Sequence, residues 1–398
     1  MADRVEAGAA RVIVLETSFA ALPETAAVRR LPRAPRRDRP VSFRERFEDR
    51  ALWYDAFWDA EEQNILLVGP PPLNLMAGLH AASYTAQPSG APLRAAFFPS
   101  RSTMVTRLEG APAGTEAVTV TVLGHTIVLP VQPNLSDALA GANILLAVNK
   151  DNRLDWIAHW ADWHVRLHGV DTVVLVDNGS QDYTREALAA RLAAVPGLAR
   201  VVLLSMPHRF GATDPGVVFY PYWAHFLQIS CFDLVLRRLA ARAAGLLNLD
   251  IDELCHRTGG TIFAAPELRR IGAARIRGRW IEAEPERDRA PVDHRAFPFV
   301  HANPLRRIAA PKWVLDPGAA WVADLAVHPY WHRIFGAPAA AKTFVSDAEM
   351  FHFRAINTGW KDDRADEEKD RNTLVRDERL ALALAAFHSS PSGQVPDA

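Results

Sequence analysis

The clearest periodicity in the chain lies between Asn143 and Asp252, where short apolar runs alternate with amphipathic stretches. Residues 143–148 read as an apolar strand that runs into Asn149-Lys150-Asp151-Asn152. Trp156, Ile157, Trp160, Trp163 and Leu167 follow at helical spacing, a broad apolar stripe that stops near Gly169. Residues 170–176 form a second strand, closed by Asp177-Asn178-Gly179-Ser180. A helix is expected over 182–194, stopped by Pro196-Gly197, and a third strand over 200–205. A long helix over about 222–243 and a fourth strand ending in Asp250-Ile251-Asp252 complete the series. Alternation at this spacing predicts an α/β fold with a mostly parallel, doubly wound sheet. Ligands of such sheets sit at the carboxyl ends of strands, where Asp151, Asp177, Asp250 and Asp252 fall.

The first 133 residues have a different texture, broken often by proline and glycine. Short apolar runs recur at 12–15, 65–68, 94–98, 118–123 and 126–131. The last two, rich in valine and threonine around Gly124-His125, predict a β-hairpin. The division expected is a β-rich accessory region over 1–135, the alternating domain over 140–361, and a charged helix with a disordered tail over 362–398. Within the first region, Arg29-Arg-Leu-Pro-Arg-Ala-Pro-Arg-Arg-Asp-Arg-Pro has two readings. Clustered guanidiniums bind phosphates and lipid headgroups, whereas the interleaved prolines and acids favour a solvated linker.

Composition narrows the function classes. A chain of 398 residues with 49% hydrophobic and 23% charged residues suits two folded units with real cores. Lys+Arg 45 against Asp+Glu 46 leaves a net charge of −1, so nucleic acid is not an expected partner. Two cysteines exclude a disulfide framework or a multi-cysteine zinc site. Met1 to Ala10 lacks a basic segment followed by an apolar one, and no apolar run approaches the roughly 18–20 residues of a membrane helix. The expected location is cytoplasmic, with peripheral membrane contact left open.

The sharpest chemical feature is Asp250-Ile251-Asp252. In extended chain, residues two apart point the same way, so both carboxylates would share one side of a strand end. Such a pair suits a hard divalent cation, Mn or Mg, whose charge offsets their repulsion. A surface strand end with solvated acids would carry the same motif, but the preceding alternation and Asp177 on a neighbouring strand favour the metal. His164-x-x-x-His168 has zinc-ligand spacing, yet no Glu follows His164 and the stripe beside it reads as core.

Val148-Asn-Lys-Asp-Asn, the Trp156-Ile-Ala-His-Trp helix, Gly169-Val-Asp-Thr-Val-Val-Leu-Val-Asp-Asn-Gly-Ser-Gln-Asp and Leu247-Asn-Leu-Asp-Ile-Asp-Glu-Leu together resemble a GT-A glycosyltransferase of the family-2-like and family-92-like group. The resemblance covers 143–253, and continues more weakly through Lys312-Trp-Val-Leu, Val327-His328-Pro329 and Met350-Phe-His352-Phe to Trp360-Lys361. It implies a Rossmann-like, mostly parallel sheet flanked by helices, and transfer of a sugar from a nucleoside-diphosphate donor, UDP first, to a saccharide or lipid-linked hydroxyl.

Site roles follow from the same resemblance. Asp252 and His352 would hold the metal, with Asp250 touching it or the ribose. Asp177 with Asn178 would contact the nucleoside, and Asn149, Lys150 and Asp151 would line the base pocket. Gln228, Lys312 and His328 would reach the donor. Asn149-Lys150-Asp151 departs from the group's Lys-Asn-Glu order, and Arg279-Trp-Ile-Glu-Ala-Glu stands where a Trp-x-x-Phe-Gly-Ser is usual. An inverting transferase needs a carboxylate base, for which Glu282 and Glu284 are the candidates. Two rival readings remain: a Mg-dependent phosphoester hydrolase on the same acids, and a non-catalytic sugar-nucleotide-binding scaffold.

Overall fold

The computed structural model describes residues 9–59, 63–283, 294, 297–356, 358 and 373–389. Strand β1 (Arg11–Leu15) comes first, and helix α1 (Val41–Arg46) follows it. Seven further strands come next: β2 (Asp55–Trp58), β3 (Ile65–Gly69), β4 (Ser83–Gln87), β5 (Pro92–Pro99), β6 (Met104–Glu109), β7 (Ala117–Val122) and β8 (His125–Pro130). They pair antiparallel in the order β8-β7-β4-β5-β6-β3-β2. A bridge from Phe57 to Gln132, just past β8, brings the two edges together, so the sheet is a nearly closed barrel. Closure hides edges that would otherwise pair with other chains. In β7, Val118, Val120 and Val122 are buried while the threonines between them are not. The turn into β8 is Leu123-Gly124, both with positive φ, as a two-residue hairpin requires.

The second sheet has nine strands. Its later members are β9 (Asn143–Asn149), β10 (Thr172–Asp177), β11 (Arg200–Ser205), β12 (Gly245–Asn248), β13 (Glu253–Arg257), β14 (Ala273–Ile281), β15 (Ile308–Leu315) and β16 (Phe344–Phe353), in the order β1-β11-β10-β9-β12-β15-β14-β16-β13. From β1 to β12 the pairings are parallel. Beyond β12 they are mixed: β15 is antiparallel to β12 and β14, and β13 to β16, while β14 and β16 run parallel. Helices α2 (Leu154–His168), α3 (Arg185–Ala193) and α4 (Phe226–Arg238) pack on it. Val173 and Leu175 join the core under α2, while Val174 and Val176 join the core of α4 and barrel residues such as Phe57.

The expected α/β class, a mostly parallel Rossmann-like GT-A sheet flanked by helices, is therefore corrected. Strand accounts for 34% of the described residues and helix for 24%, and seven strands form a nearly closed antiparallel barrel. The physical reason lies at Asp250. The chain there makes a tight turn, with the Glu253 N–H donating to the Asp250 carbonyl at 3.0 Å, instead of another helical crossover. Short strands with antiparallel partners follow. Arg11–Leu15, expected in the accessory region, is instead an edge strand of the larger sheet beside β11. The charged helix expected after 361 falls mostly outside the described residues, while Leu374–Arg376 form a short strand.

Helix α2 holds β13 through two buried imidazoles. His164 donates from Nδ1 to the Trp160 carbonyl at 2.7 Å and accepts the Cys255 N–H at Nε2, 3.1 Å. His168 donates from Nε2 to the Cys255 carbonyl at 2.9 Å and accepts the Ile262 N–H at Nδ1, 3.2 Å. Each ring must be neutral to make both bonds, so neither is a metal ligand. Burial holds the His164 pKa well below its ordinary value and pushes that of His168 down to about 4. Because these folded-state values lie below the unfolded ones, stability is full above about pH 6.5 and declines as pH falls toward 4. Urea unfolding across that window should show a loss of roughly 3 kcal/mol from His168 alone. His168→Gln should be less stable at neutral pH and show a shallower acid decline.

Candidate metal and ligand cleft

The Asp250–Glu253 turn sits between β12 and β13, at the carboxyl edge of the parallel strands. The Asp250 and Asp252 carboxylates do not share one direction, as an extended chain would require. Asp250 Oδ2 accepts from Lys312 Nζ at 2.8 Å, and Glu253 Oε2 lies 3.0 Å from the same ammonium. Glu253 Oε2 also accepts the Asp250 N–H at 2.8 Å, which fixes the turn. Asp252 points the other way, toward β16. Its Oδ2 lies 3.1 Å from His352 Nε2, and its carbonyl accepts the Phe353 N–H at 2.8 Å.

Asp252, Glu253 and His352 present ligand atoms within 4.8 Å of one another. Two ligands on opposite sides of a hard divalent cation would be about 4.2–4.8 Å apart for bonds of roughly 2.1–2.4 Å. One orphaned atom supports the fit. With the Nε2 hydrogen directed to Asp252, His352 Nδ1 is buried without a hydrogen bond, 3.5 Å from Glu253 Oε1. A cation held among these groups would give that nitrogen a partner.

The charge balance points the same way. Burial would lower the Lys312 pKa, but Asp250 and Glu253 outweigh it and hold the ammonium charged. Burial raises the Glu253 carboxyl, the charges of Asp250 and Asp252 add to the rise, and Lys312 and His352 offset it only in part. Asp250 and Glu253 thus share one lysine, while Asp252 faces His352.

This cluster forms part of the wall of an open cleft with a cavity volume of about 200 Å³. Trp280 stacks on His352 at 3.9 Å between ring centres, and Tyr222 and Trp331 line the same space. Gln228, from α4, is buried on the cleft wall with its Nε2 lacking a hydrogen-bond partner among the described residues. His332 donates from Nδ1 to the Pro311 carbonyl at 2.9 Å. Burial, with nearby Lys312, pushes its pKa down to about 3, so the ring is a neutral acceptor at Nε2.

Of the residues expected from sequence, Asp250, Asp252, His352 and Gln228 line this cleft. Lys312 lies buried beneath it, as the counter-ion of the turn rather than a group open to a donor. Lys150 and Asn178 line an adjoining cleft that shares His225 with the first. The Asn178 amide is committed to the Met206 and His208 carbonyls, at 2.7 and 2.8 Å.

Asn149, Asp151 and Asp177 line neither cleft and tie their own loops together. Asn149 Nδ2 donates to Asp177 Oδ1 at 2.9 Å and to Tyr183 at 2.8 Å, while Asp151 Oδ1 accepts the Gln181 and Asp182 N–H groups. His328 is buried against Asp233 at 2.8 Å, beneath α4. Glu282 is buried and takes Arg354 Nε at 3.3 Å, away from the cleft lining. Glu284, Trp360 and Lys361 lie outside the described residues.

Sequence reasoning passed over Glu253 and His332. The signal for Glu253 was its place directly after Asp250-Ile251-Asp252. For His332 no local pattern exists. No protein-family model matches this chain, and no curated protein matches it.

Proposed function

We propose that the protein is a metal-dependent glycosyltransferase that moves a sugar from a nucleoside-diphosphate donor, UDP first among the bases, to a saccharide or lipid-linked hydroxyl. The observation that carries this reading is the convergence of Asp252, Glu253 and His352 on one point, inside an aromatic-lined cleft with surplus negative charge. Those three residues would hold Mn or Mg. Such a cation, when bound, neutralises the charge that grows on a diphosphate leaving group.

The chain's own residues supply the rest. The Gln228 amide donates to an oxygen of the donor, and the faces of Tyr222 and Trp331 offer apolar walls to a sugar ring. Neutral His332 accepts a hydrogen bond from a sugar or acceptor hydroxyl. With Glu282 committed to Arg354, it does not serve as the base in this reading. A two-metal phosphoester hydrolase is less well supported, because the described residues hold one cation-sized cluster and not two.

Gln228 gives a test that separates binding from folding. Its unpartnered buried amide costs about 1–3 kcal/mol. Gln228→Leu should therefore match or exceed the parent in thermal stability while its affinity for a UDP-sugar with Mn falls roughly tenfold or more. Calorimetric titration and melting of the same preparation read both. Unchanged donor affinity would contradict the placement of donor in this cleft.

A further inference from the structure

The arginine-dense segment and the loop at residues 211–222 fold onto one another, far apart in sequence. Buried Asp214 joins them. It takes Arg39 Nε at 3.1 Å and the Trp223 indole N–H at 3.1 Å, with Arg37 at 3.7 Å. Phe43 and Phe47, in and just after α1, pack with Trp223 and Ala212 in a small core of their own. Arg37 also donates to the Gly216 carbonyl at 3.1 Å. The base of the loop is thus pinned by buried charge and aromatic packing.

The tip is not. Phe219 is 99% exposed, Val218 87% and Val41, at the start of α1, 67%. Large apolar side chains held in water by an anchored loop forgo roughly 1.5–3 kcal/mol of burial each. On the segment packed against this loop Arg33, Arg36, Arg37, Arg44 and Arg46 are exposed, against Asp38 and Glu45, and Arg37 reaches the loop at Gly216. The apolar element is a small protruding tip, not the broad flat patch of a protein interface. Exposed guanidiniums on the segment packed against such a loop complement a surface that is apolar within and anionic at its face.

We propose that this surface docks on an anionic phospholipid bilayer. Val218 and Phe219 enter the boundary between headgroups and acyl chains, and the arginines hold lipid phosphates. Tyr222 and His225, at the end of the same loop, line the ligand cleft, and Arg46 lines the cleft beside it. Docking therefore brings both clefts close to the bilayer, where a lipid-linked hydroxyl would be presented. That consequence rests on the proposed glycosyl transfer; the docking does not.

The test is co-sedimentation of the full chain with vesicles of phosphatidylcholine alone or mixed with phosphatidylglycerol. The expected result is binding to the mixed vesicles, weak binding to the neutral ones, and release by salt. Val218→Asp with Phe219→Asp should weaken binding roughly tenfold or more. Arg36→Gln with Arg44→Gln should also weaken it roughly tenfold or more, with a flatter salt dependence. All four positions are exposed, and circular dichroism verifies that the variants fold. Failure of the parent protein to sediment with anionic vesicles at low salt overturns the proposal. So does binding that neither variant weakens, or a solution dimer that the tip variant dissociates while no vesicle binding is seen.

Discussion

An Asp252→Asn protein is expected to fold normally, lose calorimetric binding of Mn, and lose donor turnover by roughly a hundredfold to a thousandfold. The substitution keeps the size of the side chain and removes one anionic ligand opposite Glu253 and His352. Stability should hold or rise, because Asp252 is one of the charges that push the buried Glu253 carboxyl upward. A merely structural carboxylate would behave in the opposite way, with a lower melting temperature and intact metal binding. Titration with Mn and a melting curve on one preparation distinguish the two.

Lys312→Met is expected to cost about 3–5 kcal/mol of stability, the usual penalty for removing one partner from a buried charge cluster. The two side chains are similar in volume, so the loss is electrostatic and not a cavity effect. Lys312 Nζ lies 2.8 Å from Asp250 and 3.0 Å from Glu253, and these lose their shared counter-ion together. Mn should restore part of the lost stability, since a cation at the neighbouring position replaces some of the missing charge. The double variant Lys312→Met with Glu253→Gln should lose less than the sum of the single losses. Urea unfolding with and without Mn checks each statement.

Some of this structure is legible in the sequence because it is local. Residues 143–149 and 172–177 are near-continuous apolar runs, the pattern of strands buried on both faces. The Ala117–Val122 strand alternates valine with threonine, and a positive-φ turn at Leu123-Gly124 closes its hairpin. What was not legible is long-range pairing. Nothing in Arg11–Leu15 announces that it adds to β11, and nothing in Phe57 or Gln132 announces that they close a barrel. The mixed half of the larger sheet arises because the chain reverses at Asp250, a turn that reads from sequence as the end of a strand.

The same division holds at the site. Asp252 and His352 carry their chemistry in short motifs and meet across one hundred residues. Asn149 and Asp177 carry equally suggestive side chains, yet each is spent on a loop hydrogen bond that only the fold reveals. The Glu282 carboxylate meets Arg354, one strand away, a pairing that no local pattern announces.

The measurement that bears most directly on the proposed transferase is thermal melting with UDP, GDP, CMP and UDP-sugars, each with and without Mn. A ligand at about a hundred times its dissociation constant adds roughly 2.7 kcal/mol, a shift of several degrees. The prediction is that one nucleoside diphosphate or its sugar raises the melting temperature only when Mn is present, and that Asp252→Asn abolishes the shift. Well-folded protein that shows no shift with any of these nucleotides, with or without Mn, would contradict the account.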